Sequence, residues 1–156
     1  MSSVQNGVGF VIVNQAQFLG KLNALGLVAS RRVLTAAAME GMEVIKDEWV
    51  RSVPVEDGHY RKAVKLAPNV GGLRDALGGV NAAVASAYVG KVGGVPDDEQ
   101  PDRYAGVLEF GGKLGYKQHG SVIPAQHIVR GTLDRKADEA VEKVEHRLYA
   151  ALAAIW

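Results

Sequence analysis

The chain has 156 residues, no cysteine and a formal net charge of +1. The length suits one domain, residues 1–156, large enough to bury its own core. The missing cysteines exclude disulfides and thiolate metal sites, and the balanced charge gives no overall pull toward nucleic acid or membrane. Apolar residues make up 47% and charged residues 22%, an ordinary globular balance, whereas 19 glycines stand beside only 6% aromatics.

Met1-Ser2-Ser3-Val4-Gln5 lacks the basic start of a secretory signal. Gly9–Val13 reads as a short strand. Asn14 then caps a helix over about 15–25, which Gly26 stops. A longer helix is predicted over about 28–52. Leu34, Ala38, Met42, Ile45 and Trp49 recur at steps of four and three and form its apolar stripe. Gly41 costs this helix about 1 kcal/mol relative to Ala, so its presence implies close packing there. Pro54 ends the helix.

Beyond a turn-rich link at 53–58, residues 59–66 fit a strand or a short helix. Residues 69–79 form a Gly-rich loop with room for a helical turn at Leu73–Leu77. Asn81–Lys91 is a weakly alternating strand, Gly93–Arg103 an acidic mobile loop and Tyr104–Phe110 a further strand. Gly111–Ser121, with four glycines, Lys113, Lys117 and His119, reads as a long exposed loop. Pro124 suits the first turn of a last helix. Its stripe is Leu133, Ala137, Val141, Val144, Leu148, Leu152 and Ile155, with Glu139/Lys143 and Glu142/His146 as supporting i,i+4 pairs.

The expected fold is therefore α+β. A small, mainly antiparallel sheet from about 9–13, 59–66, 81–91 and 104–110 is covered on one face by a long helix in the N-terminal half and a long C-terminal helix, with extended Gly-rich loops. No run of apolar residues is long enough to cross a bilayer.

Motifs for chemistry are sparse. His59, His119, His127 and His146 show no ligand spacing. Asp57-Gly58-His59 is explained by a turn, and Ser52, Ser86 and Ser121 lack a nucleophile elbow. There is no phosphate-binding loop, and Gly7-x-Gly9 opens a strand where a dinucleotide fingerprint would follow one. Glu109, in an apolar segment, is assigned a structural hydrogen bond. Lys113, Tyr116, Lys117 and His119 are the best basic cluster for DNA backbone or a neighbouring subunit.

Two segments carry a resemblance. Tyr104-Ala105-Gly106-Val107-Leu108-Glu109-Phe110-Gly111-Gly112 precedes Ile123-Pro124-Ala125-Gln126-His127-Ile128-Val129-Arg130-Gly131-Thr132-Leu133-Asp134, and an Ala-rich helix follows. In this order they resemble the small head–tail joining (neck or tail-completion) proteins of long-tailed bacteriophages, the family named after gene product ten of a lambdoid phage. In that family a long helix ends in proline and a short Asp-Thr-Gly-x-Leu turn enters the sheet. A strand then ends in Glu-Phe-Gly, and a proline opens the last helix. Pro54, Asp57, Gly58 and Tyr60-Arg61-Lys62-Ala63 match the turn loosely: the Thr is missing and Tyr60 replaces Leu. His127-Ile128-Val129-Arg130 stands where an aromatic-Leu-Arg is usual. The resemblance covers roughly residues 30–150.

It implies a non-enzymatic virion component made in the host bacterial cytoplasm, without cofactor or metal. Copies would form a ring between portal-side proteins and the tail, touching head-completion, adaptor, tail-terminator or tail-tube proteins. DNA would pass through without sequence-specific binding, and no membrane is involved. The expected subunit contacts are Asp97, Asp98, Glu99 and Arg103 in the acidic loop and Lys113, Tyr116, Lys117 and His119 in the Gly-rich one. Two other functions fit the residues: a small nucleic-acid-binding module using Arg103, Lys113 and Lys117, and an enzyme without a known motif using His59 or Glu109.

Overall fold

The computed structural model describes residues 7–11, 27–55, 58–68, 84–113 and 122–154. The fold is α+β. In chain order the elements are β1 (Gly7–Val11), α1 (Leu27–Ser52), α2 (His59–Ala63), β2 (Val64–Pro68), β3 (Val84–Val89), α3 (Pro101–Phe110), β4 (Gly112–Lys113), β5 (Val122–Ile123) and α4 (Ile128–Ala153). The expected helix at 15–25, the helical turn at 73–77 and most of the 111–121 loop lie outside the described residues.

A three-stranded sheet has the order β1-β3-β2. Ala85, Ser86 and Ala87 of the central strand are all buried, the pattern of a strand covered on both faces. A second sheet is the antiparallel pair β4–β5, with Gly112 opposite Ile123 and Lys113 opposite Val122.

The α1 helix follows its 3.6-residue period. Leu34, Ala37, Ala38, Met42, Ile45 and Trp49 are buried, while Arg32, Glu43, Asp47 and Arg51 face water. Its last turn closes with the Val53 N–H on the Trp49 carbonyl at 3.1 Å and the Ser52 hydroxyl on the Glu48 carbonyl at 2.8 Å.

The chain divides into two compact units, residues 1–8, 45–65 and 87–137, and residues 9–44, 66–86 and 138–156. In the second, Leu34, Ala37, Val144 and Leu148 form a hydrophobic cluster with Val33 against it. Arg147 Nε meets Glu40 Oε1 at 3.0 Å. Gly41 fits where a side chain would not: a Cβ there would collide with Val144 Cγ2 and sit 3.0 Å from the Ala140 carbonyl oxygen. The close packing expected of this glycine is present, and it sets the face of α4. Ala140 is buried whereas Val141, expected in the stripe, is exposed, because the near approach of Gly41 selects the smaller residue.

In the first unit, Arg135 joins α4 to the end of α1. Its Nε lies 3.0 Å from Glu48 Oε1, and its other guanidinium nitrogen donates to the Ser52 hydroxyl at 2.8 Å.

Three expectations need correction. Residues 104–110 form the body of a helix where a strand was expected. Pro101 occupies the first turn, where its missing N–H costs nothing, and Gly111 ends the helix at φ 76°. The acidic segment 93–103 is anchored: buried Gln100 accepts the Val92 N–H at 2.9 Å and donates to the carbonyls of Val92 and Val95 at 3.1 and 2.7 Å. Pro124 lies outside α4, which starts at Ile128. Residues 59–66 split between the two options, with a helical turn up to Ala63 and a strand from Val64.

Candidate functional site

The two family-like segments are bonded to each other within the first unit. The carbonyls that α3 leaves unpaired at its C-terminus receive backbone donors: Gly111 N–H on Val107 at 2.8 Å, Gln126 N–H on Leu108 at 2.8 Å and His127 N–H on Glu109 at 3.3 Å. The Glu109 side chain runs the other way. One carboxylate oxygen accepts the Val129 N–H at 2.8 Å and the other the Arg130 N–H at 3.1 Å. A negative group thus satisfies two orphan donors at the positive end of α4. The structural role expected of Glu109 is met, from a helix and not a strand.

Gly111 is required at this junction. Besides its positive φ, a Cβ would approach the Ala125 nitrogen to 2.9 Å and the Ile123 carbonyl oxygen to 3.2 Å. His127, just before α4, adopts φ 48°, a conformation uncommon outside glycine. Replacing Glu109 by Ala is expected to destabilise the chain by about 1–2 kcal/mol. Glu109→Gln keeps one acceptor and loses less. Chemical denaturation of the two variants checks the order.

Beside this junction lies a cleft of about 440 Å³. Buried Val53 and Tyr60 and half-buried Tyr104, Leu108 and Ile123 give it apolar and aromatic walls. Asp98, Glu99 and Gln126 are its exposed polar lining, with half-buried His59 between. Its parts come from the end of α1, from α2, from α3 and from the segment around β5. Tyr60 and Tyr104 stack at a tilt, with ring centroids 5.8 Å apart and planes at 43°.

Burial pushes the Tyr60 phenol up to about 12. The Trp49 indole opposes this. Its Nε1 lies near the Tyr60 hydroxyl, yet, like Arg61 Nε, it is buried without a hydrogen-bond partner of ordinary geometry among the described residues. The folded chain therefore keeps Tyr60 protonated at a pH where the unfolded phenol ionises, near 10. The Tyr60 contribution to stability is constant below pH 10 and is lost as pH rises toward 12, by on the order of 2 kcal/mol. A denaturation series over this range is expected to slope downward for the native chain and to flatten for Tyr60→Phe.

The expected contact residues separate. Asp97 is exposed and ion-paired to Lys91 at 3.0 Å, and that hydrogen bond lowers its carboxyl pKa. Asp98 and Glu99 line the cleft. Arg103 is exposed in the first turn of α3, and Lys113 is exposed on β4. Tyr116, Lys117 and His119 lie outside the described residues. Among the enzyme candidates, His59 reaches the cleft whereas Glu109 is committed to the α4 backbone. The sequence reading missed Tyr60, Tyr104 and Gln100. Tyr104 and Leu108, four apart after a proline, were the available sign of a helix with one lined face.

Among the described residues no three His, Asp or Glu side chains gather as metal ligands, and no helix is long and apolar enough to cross a membrane. No family model matches the chain, and neither a curated protein nor a solved structure matches it.

Proposed function

We propose that the chain is a structural protein of the virion of a long-tailed bacteriophage. It forms a ring in the neck or tail-completion region and joins portal-side proteins to the tail. The observation that carries this proposal is the bonding of Leu108 and Glu109 to residues 126–130. The two short segments on which the family resemblance rests meet in one structural feature, which supports reading them together. The long helix before Pro54 and the final Ala-rich helix stand in the expected order around them. The helical form of 104–110 departs from the strand expected of the family, and the proposal rests on order and proximity, not on that element's type.

A ring places identical surfaces in head-to-tail contact, so each copy needs two complementary patches. The acidic segment around Asp98 and Glu99 and the acid-free stretch from Gly111 to Leu133, which carries Lys113, Lys117 and Arg130, supply opposite charges. No catalytic residue is assigned.

Immunogold labelling of particles from the phage or prophage that encodes the chain tests the proposal. Label at the head–tail junction is expected. Complete, infective particles that lack the chain would overturn it. Tight binding to duplex DNA that weakens steeply with salt would point instead to a nucleic-acid module acting through Lys113 and Lys117.

A further inference from the structure

The cleft beside α3 combines three properties that together select a ligand. Its walls are apolar and aromatic, with Tyr60 and Tyr104 stacked. Its exposed lining carries two carboxylates, Asp98 and Glu99, and neither has an ion pair among the described residues; the neighbouring Asp97 is already neutralised by Lys91. Its volume of about 440 Å³ holds a few side chains, within the range of ligand-binding pockets, on the order of 300–1,000 Å³. A cationic side chain with an alkyl stem meets all three conditions: the stem packs on the tyrosines, and the charge sits between an aromatic face and a carboxylate.

The same chain contains such a segment. From Gly111 to Leu133 there is no Asp or Glu, and Lys113 and Lys117 flank Leu114 and Tyr116. Lys113 is exposed at the end of β4. We propose that the cleft is a socket in which one copy of the chain receives the basic segment of a second copy, the segment that starts at Lys113. This rests on the ring-forming function proposed above and names its subunit contact. The eight residues between Lys113 and Val122 reach at most about 13 Å from their strands. A contact of that reach requires the socket of one copy and the β4–β5 pair of the next to lie side by side.

The test uses the full chain. A photo-crosslinking amino acid replaces His59 in isotopically heavy protein, which is mixed with light protein, and cross-linked peptides are read by mass spectrometry. Heavy–light links from position 59 to residues 113–121 are expected. In parallel, D98K/E99K and K113E/K117E are each expected to weaken self-association at least tenfold in sedimentation. Combining all four reversals is expected to restore it. Circular dichroism checks that each variant is folded. If an oligomer forms but the links stay within one chain or reach another segment, the socket is wrong and the ring stands. If the native chain is monomeric at every concentration, both are wrong.

Discussion

Ile45→Asp is expected to abolish the folded population at room temperature, whereas Val44→Asp, one residue away, leaves a folded protein. Ile45 has no exposed surface and sits on the stripe that α1 turns inward with Met42 and Trp49. A carboxylate there loses its hydration, and the apolar contacts of the isoleucine are lost as well. Together these cost at least about 4 kcal/mol, a large share of the 5–15 kcal/mol that ordinarily holds a domain together. Val44 is only half-buried, so its carboxylate can turn to water. Thermal melts of the two variants decide the matter. Similar losses for both would mean that α1 is not oriented as described. Leu148→Asp belongs with Ile45→Asp, since Leu148 closes the cluster with Leu34, Ala37 and Val144.

The long helices were legible because each carries a repeated pattern whose period alone identifies it. Leu34, Ala38, Met42, Ile45 and Trp49 leave no other conformation that would hide all five. Residues 104–110 were not legible by that route. Seven residues are too few to separate a helical period from a strand's, and their aromatic and branched content favours a strand. Their conformation is decided at the ends, by Pro101 and Gly111, and by the pairing of Tyr104 with Tyr60 on a different element. The cleft was hidden for a stronger reason. It is assembled from separate stretches of chain, and no local spacing records that Asp98 and Tyr60 line one cleft.

The role of Glu109 illustrates what lies between these cases. A lone carboxylate in an apolar segment signalled a buried partner, and that much was legible. The partners are backbone N–H groups twenty and twenty-one residues later, and main-chain donors leave no mark in a sequence. The consequence is functional. With the end of α3 fixed to the start of α4, the β4–β5 hairpin and the cleft wall at Ile123 are held on a rigid base. The proposed socket therefore needs no rearrangement of α3 before a second copy can dock.

Gly41→Val is the second large effect expected, and its interest is that propensity predicts the opposite sign. In an isolated helix almost any side chain is better than glycine, by about 1 kcal/mol for alanine. Here a Cβ would collide with Val144 Cγ2 and press on the Ala140 carbonyl oxygen at 3.0 Å. Valine is stiff at χ1 and cannot turn its methyls away, and one of the two obstacles is backbone. The helices must separate locally, at about 2–3 kcal/mol. A second substitution, Val144→Ala, removes the side-chain obstacle and leaves the backbone one. By itself it costs about 1–2 kcal/mol from the lost methyls, but in the Gly41→Val background it is expected to cost less or to stabilise. A double-mutant cycle by chemical denaturation measures that coupling. Strict additivity would show that Gly41 and Val144 do not touch, and that the approach of α1 to α4 at this point is wider than described.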